Sequence, residues 1–475
     1  MKEYISLAQV REDIGKGAIT CVELTENYIQ KIKLSNLNTF LEVFDVSAIE
    51  QSQIVDEKIK NGTAGRLAGM VIGLKDNICY KGHKVSSSSK ILEGFESIYN
   101  ATVVEKLLQE DAIIIGRLNC DEMAMGSSNE NSAYGPVLNP VQNNKVPGGS
   151  SGGSAAAVKA NLCLAALGSD TGGSIRQPAS FCGVVGYKPT YGRVSRYGLL
   201  AYASSFDQIG PLTNTIEDAA LITEIISGSD AYDSTCSTKP VEGYSNLRKT
   251  EPAPKYKIAY IKDCLDMAGL DEEVKIKTLE IIEKLKAEGH EVEGVDFPYL
   301  DYLVPNYYVL TTAEASSNLA RYDGVHFGYR SDKAEDVETT YVHSRSEGFG
   351  EEVQRRIMMG TFVLSAGYYD AFYTKGLKVR NIIKQKTEAL FNDYDFILLP
   401  TTPSPAFGIG ENIDDPITMY LQDIFTVHAN LAGIPAVSLP LGEHSNGLPF
   451  GMQLMAGTFQ DAKLFEFSDR LMNLG

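Results

Sequence analysis

Two serines and one lysine are the residues of this chain that could do chemistry together. Ser150 and Ser174 lie in a Gly- and Ser-rich block, residues 147–189, which contains no histidine. A serine hydroxyl is a poor nucleophile until a neighbouring base removes its proton. Lys75 follows the apolar residues 70–74, so a strand would carry it into the interior, where desolvation lowers the pKa of an amine. The pattern predicts a serine nucleophile activated by a neutral lysine.

Ser174 is the better candidate for the nucleophile because of the residues around it. It follows the apolar run 162–167 and two glycines, Gly172 and Gly173, which predicts a turn between a strand and a helix. Glycines let the backbone fold closely, so the N–H groups of residues 171–174 can converge at the start of the helix. Such a group of donors can stabilise an oxyanion.

Other interpretations of the same residues are weaker but remain open for each residue taken alone. Residues 148–152 satisfy G-x-S-x-G, yet the residues before them form a polar loop rather than the buried strand of a nucleophile elbow. Residues 87–90 match S-x-x-K without its companion motifs, and no P-loop sequence occurs. Ser150 could cap a helix beginning near Ser154, a Gly-Gly-Ser turn is often a plain loop, and a lone lysine is usually a surface charge.

Composition and charge restrict the function further. The formal net charge is −18, from 61 acidic and 43 basic residues, which disfavours a broad nucleic-acid surface. Seven scattered cysteines and six scattered histidines form no metal-ligand spacing, so we expect no metal and no disulfide framework. No apolar run approaches the roughly 20 residues of a membrane span and no signal peptide is visible, so we expect a cytoplasmic protein without membrane contact.

The pattern of apolar residues predicts an α/β fold in a single domain, residues 1–475. Residues 1–60 indicate a helical N-terminal layer, with Ser6 or Thr20 as caps, and residues 65–215 alternate strands and helices as a catalytic core. Residues 227–255 are polar and Pro-rich, which indicates a surface excursion. Residues 396–400 and 436–440 read as late buried strands of the same sheet. The expected architecture is a large mixed β-sheet with helices on both faces.

The joint pattern of Lys75, Ser150 and Ser174 resembles the amidase signature family, whose two catalytic serines lie twenty-four residues apart downstream of a lysine. The Gly-Leu-Lys-Asp setting of Lys75 and the end of the block at residues 183–190 agree with that family. Tyr187 departs from the more usual leucine without affecting any catalytic residue. Further segments resemble the glutamine-hydrolysing branch that serves tRNA-dependent amidotransferases: residues 192–198, 205–211 and 313–321.

The resemblance implies an amidase signature fold and a glutaminase reaction. Ser174 would attack the side-chain amide of glutamine, Lys75 would act as base, and Ser150, after a cis peptide bond, would relay the proton. The oxyanion hole would be the backbone of Thr171, Gly172, Gly173 and Ser174. The resemblance also assigns residues that bind the substrate: Arg356 for the α-carboxylate, Asp423 for the α-ammonium, and Tyr307 or Tyr308 with Met125, Gly126 and Ser127 along the pocket.

The resemblance implies partners as well. No cofactor is expected in this chain, whereas a larger partner, the B subunit of the amidotransferase, would hold the charged tRNA and use ATP and Mg²⁺. A small C subunit would wrap the pair. Whether the tRNA carries glutamate or aspartate stays open. The alternatives are a free-standing amidase for a small amide and a non-catalytic scaffold.

Overall fold

The computed structural model describes residues 2–246, 254–412 and 416–473. One sheet of eleven strands runs through this part of the chain. The strands are β1 Phe40–Val43, β2 Val71–Lys75, β3 Ile113–Leu118, β4 Ala165–Asp170, β5 Val185–Lys188, β6 Gln208–Thr213, β7 Lys257–Ile261, β8 Glu291–Val295, β9 Phe396–Pro400, β10 Ala436–Glu443 and β11 Pro449–Ala456.

The strand order is β1-β3-β2-β4-β6-β5-β10-β11-β9-β7-β8. β2 pairs in parallel with β3 and β4, and β7 pairs in parallel with β8 and β9, while the remaining neighbours are antiparallel. The sheet is therefore mixed. The predicted late strands at 396–400 and 436–440 are β9 and β10, and both belong to this sheet, as expected.

Helices cover the sheet. They are α1 Leu7–Gly15, α2 Cys21–Leu34, α3 Asp45–Asn61, α4 Thr102–Gln109, α5 Gly152–Lys159, α6 Arg176–Cys182, α7 Ile216–Ile226, α8 Lys262–Asp266, α9 Glu272–Ala287, α10 Leu300–Asn318, α11 Val337–Gly348, α12 Glu351–Leu364, α13 Lys375–Leu390, α14 Pro416–Leu421, α15 Val427–Ala432 and α16 Asp461–Met472. A π-helical turn, Asp370–Thr374, joins α12 to α13. The predicted α/β fold class is confirmed.

The N-terminal part of the chain contains three helices, α1, α2 and α3, and one strand, β1. The Ser6 side chain caps α1, and Thr20 forms a capping box with Glu23 at the start of α2. Between α2 and α3 the chain also forms β1, which pairs with β3 at the edge of the sheet. This strand lies inside the range predicted to be helical. An aromatic and two aliphatic residues in Phe-Leu-Glu-Val suit a short edge strand.

Three large apolar clusters position the site-bearing strands. The first lies between the N-terminal helices and β2, β3 and β4, the second lies around α10, α13 and α15, and the third joins α9 and α16 to β9, β10 and β11. All five residues of β2 and all six of β3 and of β4 are buried, which is typical of strands covered on both faces. Lys75, at the end of β2, is therefore held in the interior by its strand.

Two further expectations concern the connections and the membrane. Of the predicted surface excursion at 227–255, residues 247–253 lie outside the described residues, and residues 227–246 contain no helix or strand. None of the helices in the described part of the chain has both the length and the apolar character needed to cross a membrane.

Candidate active site

Lys75 lies in a cage of three serine hydroxyls. Its Nζ is 2.7 Å from Ser150 Oγ, and 3.0 Å from both Ser151 Oγ and Ser169 Oγ. The side chain has no exposed surface. Burial lowers the pKa of Lys75 to about 8, although nearby acidic groups such as Cys120 and Asp121 oppose the shift. With this pKa, about a tenth of the amine is neutral at pH 7 and about half at pH 8, and the neutral form can accept a proton.

Two of the three hydroxyls orient the amine toward the third. The Ser151 hydroxyl donates to the Ser169 carbonyl oxygen at 3.1 Å and accepts from the Ser169 amide at 3.3 Å, which leaves one lone pair of its oxygen to accept from Lys75. Asn77 Nδ2 donates to Ser169 Oγ at 2.9 Å and helps to fix that hydroxyl. A neutral amine that donates its two N–H groups to Ser151 and Ser169 directs its lone pair at Ser150. None of these three supporting residues was identified from the sequence.

Backbone hydrogen bonds of the Gly149–Ser150 segment hold Ser150 in place. Its peptide bond with Gly149 is cis, its carbonyl accepts from the Asp121 amide at 3.1 Å, and the Gly149 amide donates to Gln177 Oε1 at 2.8 Å. A Cβ on Gly149 would lie 2.0 Å from Asp121 Oδ2, so only glycine fits there. Ser150 does not cap a helix, because the N-cap position of α5 is Ser151, and no strand precedes it as a nucleophile elbow would require.

Ser174 lies on the turn between β4 and α6, where the sequence placed it. Its carbonyl accepts from the Ser151 amide at 3.1 Å, which joins the turn to the Ser150 loop. The residue is only partly buried, unlike Ser150 and Lys75. Within the described residues, no direct hydrogen bond joins the Ser150 and Ser174 hydroxyls. The structure thus brings Lys75 and Ser150 into contact and places Ser174 on the neighbouring turn.

The four amide groups predicted as an oxyanion hole are not equivalent. The Gly173 amide donates to Asp170 Oδ1 at 2.9 Å, so this donor already has an anionic acceptor. The amides of Thr171, Gly172 and Ser174 have no protein acceptor in the described part of the chain. Gly173 has φ +140°, and a Cβ there would lie 2.2 Å from Thr426 Oγ1. We therefore restrict the predicted donors to the amides of Thr171, Gly172 and Ser174.

A buried ion pair holds this turn in place. Arg176 donates from two nitrogens to the Asp170 carboxylate, at 2.9 and 3.0 Å, and neither side chain has exposed surface. Asn430 Nδ2 also donates to Asp170 Oδ1, at 2.9 Å. Burial alone would raise the pKa of Asp170, but the Arg176 guanidinium holds it below its ordinary value. The carboxylate stays charged and keeps the Gly173 amide occupied.

A cavity of about 380 Å³ opens beside this network, a volume in the usual range for small-molecule sites. Three of the predicted binding residues line it: Gly126, Ser127 and Arg356. Arg356 is almost fully buried on α12, where Nε donates to Glu352 Oε1 at 2.8 Å and Nη1 donates to the Tyr202 hydroxyl at 2.9 Å. The Nη2 donors remain for a ligand carboxylate.

Asp423 forms the anionic side of the same region. Its Oδ2 accepts from the Ser127 hydroxyl at 2.8 Å and from the Tyr308 hydroxyl at 3.4 Å. Burial raises the pKa of Asp423 to about 7, while Ser127 and Arg356 oppose that shift. A bound ammonium group would restore its charge. Asp423 lies behind Ser127 and is not itself among the residues that line the cavity.

The two tyrosines have different surroundings. The Tyr308 ring lies against Arg356, with the guanidinium carbon 5.2 Å from the ring centre, and it stacks on Tyr420. Tyr307 faces the nucleophile turn instead, since a Cβ on Gly172 would lie 2.5 Å from its ring. Met125 is fully buried under the loop and does not line the cavity. Of the two tyrosines, Tyr308 is therefore the one that contacts the predicted binding residues Arg356 and Asp423.

Two side chains connect the cavity to the catalytic loops. Thr426 donates to the Gly172 carbonyl at 2.6 Å and lies 3.0 Å from the carbonyl of Asp423. Gln177 donates to the Ser127 carbonyl at 2.7 Å and accepts from the Gly149 amide. The residues that would hold a substrate and those that would attack it therefore share rigid contacts.

Sequence reasoning also missed the residues that hold Arg356. Glu352, Tyr202 and Tyr420 surround its guanidinium, and the Tyr420 hydroxyl donates to Glu352 Oε1 at 3.1 Å. Glu352 and Arg356 are one helical turn apart, which is a detectable spacing for an ion pair, but the two tyrosines come from distant segments. Among the described residues, no cluster of three or more His, Cys, Asp or Glu side chains is arranged to hold a metal ion.

Comparison with known proteins agrees with this geometry. The amidase family matches residues 23–465. The A subunit of glutamyl-tRNA(Gln) amidotransferase from Chlorobium phaeobacteroides is 48% identical over 463 residues, covering 97% of each chain, and that of Prosthecochloris aestuarii is 47% identical, covering 100% of this chain and 99% of the relative. A crystal structure of the A subunit from Thermotoga maritima matches with a TM-score of 0.77 at 42% identity, covering 95% of this chain and 93% of that one. As the spacing of its serines and lysine predicted, the chain belongs to the amidase signature family.

Proposed function

We propose that this chain is the glutaminase subunit of a tRNA-dependent amidotransferase, with Lys75, Ser150 and Ser174 as its catalytic residues. The observation that carries the proposal is the buried contact of 2.7 Å between Lys75 Nζ and Ser150 Oγ, together with a cavity lined by the buried Arg356 and by Ser127, behind which lies the buried carboxylate of Asp423. The relatives that span nearly the whole chain carry the name of the A subunit of glutamyl-tRNA(Gln) amidotransferase.

The reaction begins when Ser174 Oγ attacks the side-chain carbonyl carbon of glutamine. The Ser174 proton passes to Ser150, whose own proton passes to the neutral Lys75 amine. The amides of Thr171, Gly172 and Ser174 stabilise the oxyanion, a contribution typically worth about 100-fold or more in rate for each donor. Lys75 then returns its proton through Ser150 to the leaving nitrogen, and ammonia departs. Water hydrolyses the acyl-enzyme by the same proton path and releases glutamate.

Substrate selection follows from charge. Arg356 offers donors to an α-carboxylate, and Asp423 with Ser127 offers acceptors to an α-ammonium group. A plain amide lacks both charges, so it gains no charge-assisted hydrogen bond from the remaining donors of Arg356 or the remaining acceptor capacity of Asp423. This pairing favours an amino acid as substrate over a small neutral amide. It is the reason for preferring a glutaminase to a free-standing amidase.

The ammonia is of use only when a second protein consumes it. The strongly acidic chain has no P-loop and no cluster for Mg²⁺ in the described ranges, so activation of a charged tRNA would belong to a B subunit that uses ATP and Mg²⁺, with a C subunit as the third component. No cofactor takes part in the steps assigned to this chain. Charged tRNA is a cytoplasmic substrate, so the proposal places the complex in the cytoplasm.

The test is co-expression with the B and C subunits of the same genome, followed by an assay of amidated tRNA. We expect glutamine-dependent amidation of Glu-tRNA(Gln) or Asp-tRNA(Asn) that requires ATP and this chain. The Ser174→Ala variant is the matched control and should leave amidation intact with ammonium chloride as nitrogen source. Hydrolysis of simple amides by the isolated chain, with no transfer to tRNA in the complex, would favour the free-standing amidase.

A further inference from the structure

An exposed aromatic surface lies between the end of α12 and the start of α13. We call it the aromatic surface; it comprises Met358, Phe362, Tyr368, Tyr369, Phe372 and Leu377. Each of these side chains is between 39% and 72% exposed, although they come from only 20 consecutive residues. Contiguous exposed apolar side chains are uncommon on monomeric proteins and mark contact surfaces.

The rings of this surface are already packed against one another. Phe362 lies 4.4 Å from Tyr368 and 5.8 Å from Phe372, measured between ring centres, and Tyr369 lies 5.3 Å from Tyr373. Phe362, Tyr368 and Phe372 thus form one cluster and Tyr369 pairs with its neighbour, so these are not separate rings that could each stack on a base. This arrangement suits a protein surface better than single-stranded RNA, which needs accessible ring faces.

The helix beneath the aromatic surface, α12, packs closely on a neighbouring helix. A Cβ on Gly360 would lie only 1.9 Å from the Thr312 carbonyl oxygen, so α12 packs on α10 with their backbones in close approach. The opposite side of α12, with Met358 and Phe362, therefore points outward. No rearrangement of α12 can bury these side chains without breaking that contact.

The surroundings of the aromatic surface carry the opposite charge to the rest of the chain. Residues 366–387 contain five basic residues and a single acidic one, in a chain whose net charge is −18. Lys375, Lys378 and Lys386 are exposed, and no ion pair is described for any of the three within the described ranges. An acidic rim on a partner would complement these lysines.

The aromatic surface is connected to the nucleophile turn by a series of contacts. Tyr369 lines a cavity of about 350 Å³ together with Ser204 and Glu314. Glu314 accepts from the Ser205 amide at 2.9 Å, and the next residue, Phe206, packs edge-on against Tyr307. Tyr307 in turn lies against Gly172 of the turn that carries Ser174. A protein seated on this surface would lie at the outer end of that path.

From these observations we infer that the aromatic surface is the docking surface for the ammonia-consuming partner subunit, through an apolar patch with an acidic rim on that partner. This inference rests on the proposed function and adds the location and the chemistry of the contact. The preformed apolar face, the unpaired lysines beside it and its connection to the nucleophile turn all favour this occupant.

The central experiment compares two variants of the complete chain. Phe362→Asp combined with Phe372→Asp places two carboxylates in the aromatic surface, whereas Leu34→Asp changes an 86% exposed leucine at the end of α2. We expect the double variant to weaken binding to purified partner subunits, measured by titration, by about 100-fold or more, and Leu34→Asp to leave it unchanged. Thermal unfolding of both variants checks that the fold is retained.

A functional readout separates docking from chemistry. With saturating ammonium chloride, the partner subunits should amidate tRNA equally well beside either variant. With glutamine as nitrogen source, the double variant should lose amidation at protein concentrations where the control is fully active, and regain part of it at higher concentration. Lys375→Glu with Lys378→Glu should weaken binding by about 10-fold at low salt and less at high salt, because the lysines act through charge.

Hydrogen exchange on the unmodified chain supplies a test that needs no variant. Addition of the partner subunits should slow exchange of the amides in residues 358–382. Equal partner affinity for the double variant and the wild type, with no protection there, would overturn the inference. Two other outcomes would do so as well: binding of tRNA alone that depends on Lys375 and Lys378, or a dimer of this chain that Phe362→Asp dissociates while partner binding persists. Failure of the wild-type complex to amidate tRNA would refute the proposed function instead.

Discussion

The catalytic half and the recognition half of the site are built in different ways. Lys75, Ser151 and Ser169 come from neighbouring strands or the loops that adjoin them, and all lie within 100 residues of one another in the sequence. Arg356 and Asp423, by contrast, project from the helical region after β8, and their partners Tyr202 and Ser127 lie more than 150 residues away along the chain. Under the proposed assignment of the site residues, the chemistry depends on the sheet, whereas selectivity depends on the elements packed against it.

The sharpest test of this division is removal of the catalytic groups. Ser174→Ala and Lys75→Ala should each lower kcat for ammonia release from glutamine by about 10⁴-fold or more. The reason is that the nucleophile and the groups that take up its proton act as one unit. Lys75→Arg should be as inactive as Lys75→Ala, since a guanidinium does not act as a base near neutral pH. Glutamine binding, measured by calorimetry on Ser174→Ala, should persist. An active Ser174→Ala enzyme would remove the nucleophile assignment.

Substitutions in the catalytic half, next to the sheet, should also have the larger effect on the stability of the fold. Asp170→Asn leaves the buried Arg176 without its carboxylate, a change that costs about 3–5 kcal/mol when a buried pair loses one partner. Urea unfolding should therefore move to a clearly lower midpoint. Glu12→Gln, which breaks the exposed pair with Lys16, is the control and should leave the midpoint unchanged. A stable Asp170→Asn protein would show that the turn does not depend on this pair.

Substitutions in the recognition half should change KM for glutamine more than kcat. Arg356→Gln and Asp423→Asn each remove one charge-assisted contact to the substrate, so we expect KM for glutamine to rise by about 100-fold with a smaller change in kcat. Glu352→Gln keeps a hydrogen-bond acceptor for Arg356 and should raise KM far less. If Arg356→Gln lowered kcat and left KM unchanged, the separation of the two halves would be wrong.

The pH dependence gives the smallest and most specific effect. Lys75 must be neutral to act as base, and burial lowers its pKa to about 8, so activity should rise with pH through that value and then level off. A group with that pKa gives about a fivefold gain in kcat between pH 7 and pH 8. Asp423, with its pKa raised to about 7 by burial, must be charged to bind an ammonium group, so KM should rise as pH falls below 7. Asp423→Asn should abolish the second dependence and retain the first.

The sequence was most informative where the chemistry is local. The turn of Ser174, the burial of Lys75 and the late strands β9 and β10 follow from apolar runs and glycines close to each residue. The cage of Ser151, Ser169 and Asn77 did not follow, because it depends on the register between β2 and β4, which one strand cannot specify. Nor could the sequence reveal that the Asp170 carboxylate accepts a hydrogen bond from the Gly173 amide.

The predicted binding residues illustrate the same limit. Arg356 and Asp423 were identified through family resemblance, since nothing in their local patterns distinguishes them from ordinary surface charges. Tyr202 reaches Arg356 across 154 positions of sequence, and Ser127 reaches Asp423 across 296. Contacts at such separations are set by tertiary packing, so periodicity and spacing carry no information about them.

The enclosure of Lys75 has a consequence for how the enzyme exchanges protons with its surroundings. Among the described residues, the amine contacts hydroxyl groups that are themselves buried, whereas Ser174 is partly exposed. In the proposed mechanism, a proton taken up by the lysine therefore leaves by way of Ser150. With Lys75 as the proposed base, the burial of the amine separates it from bulk solvent between turnovers, and its charge state is reset through the same hydroxyl that serves the substrate.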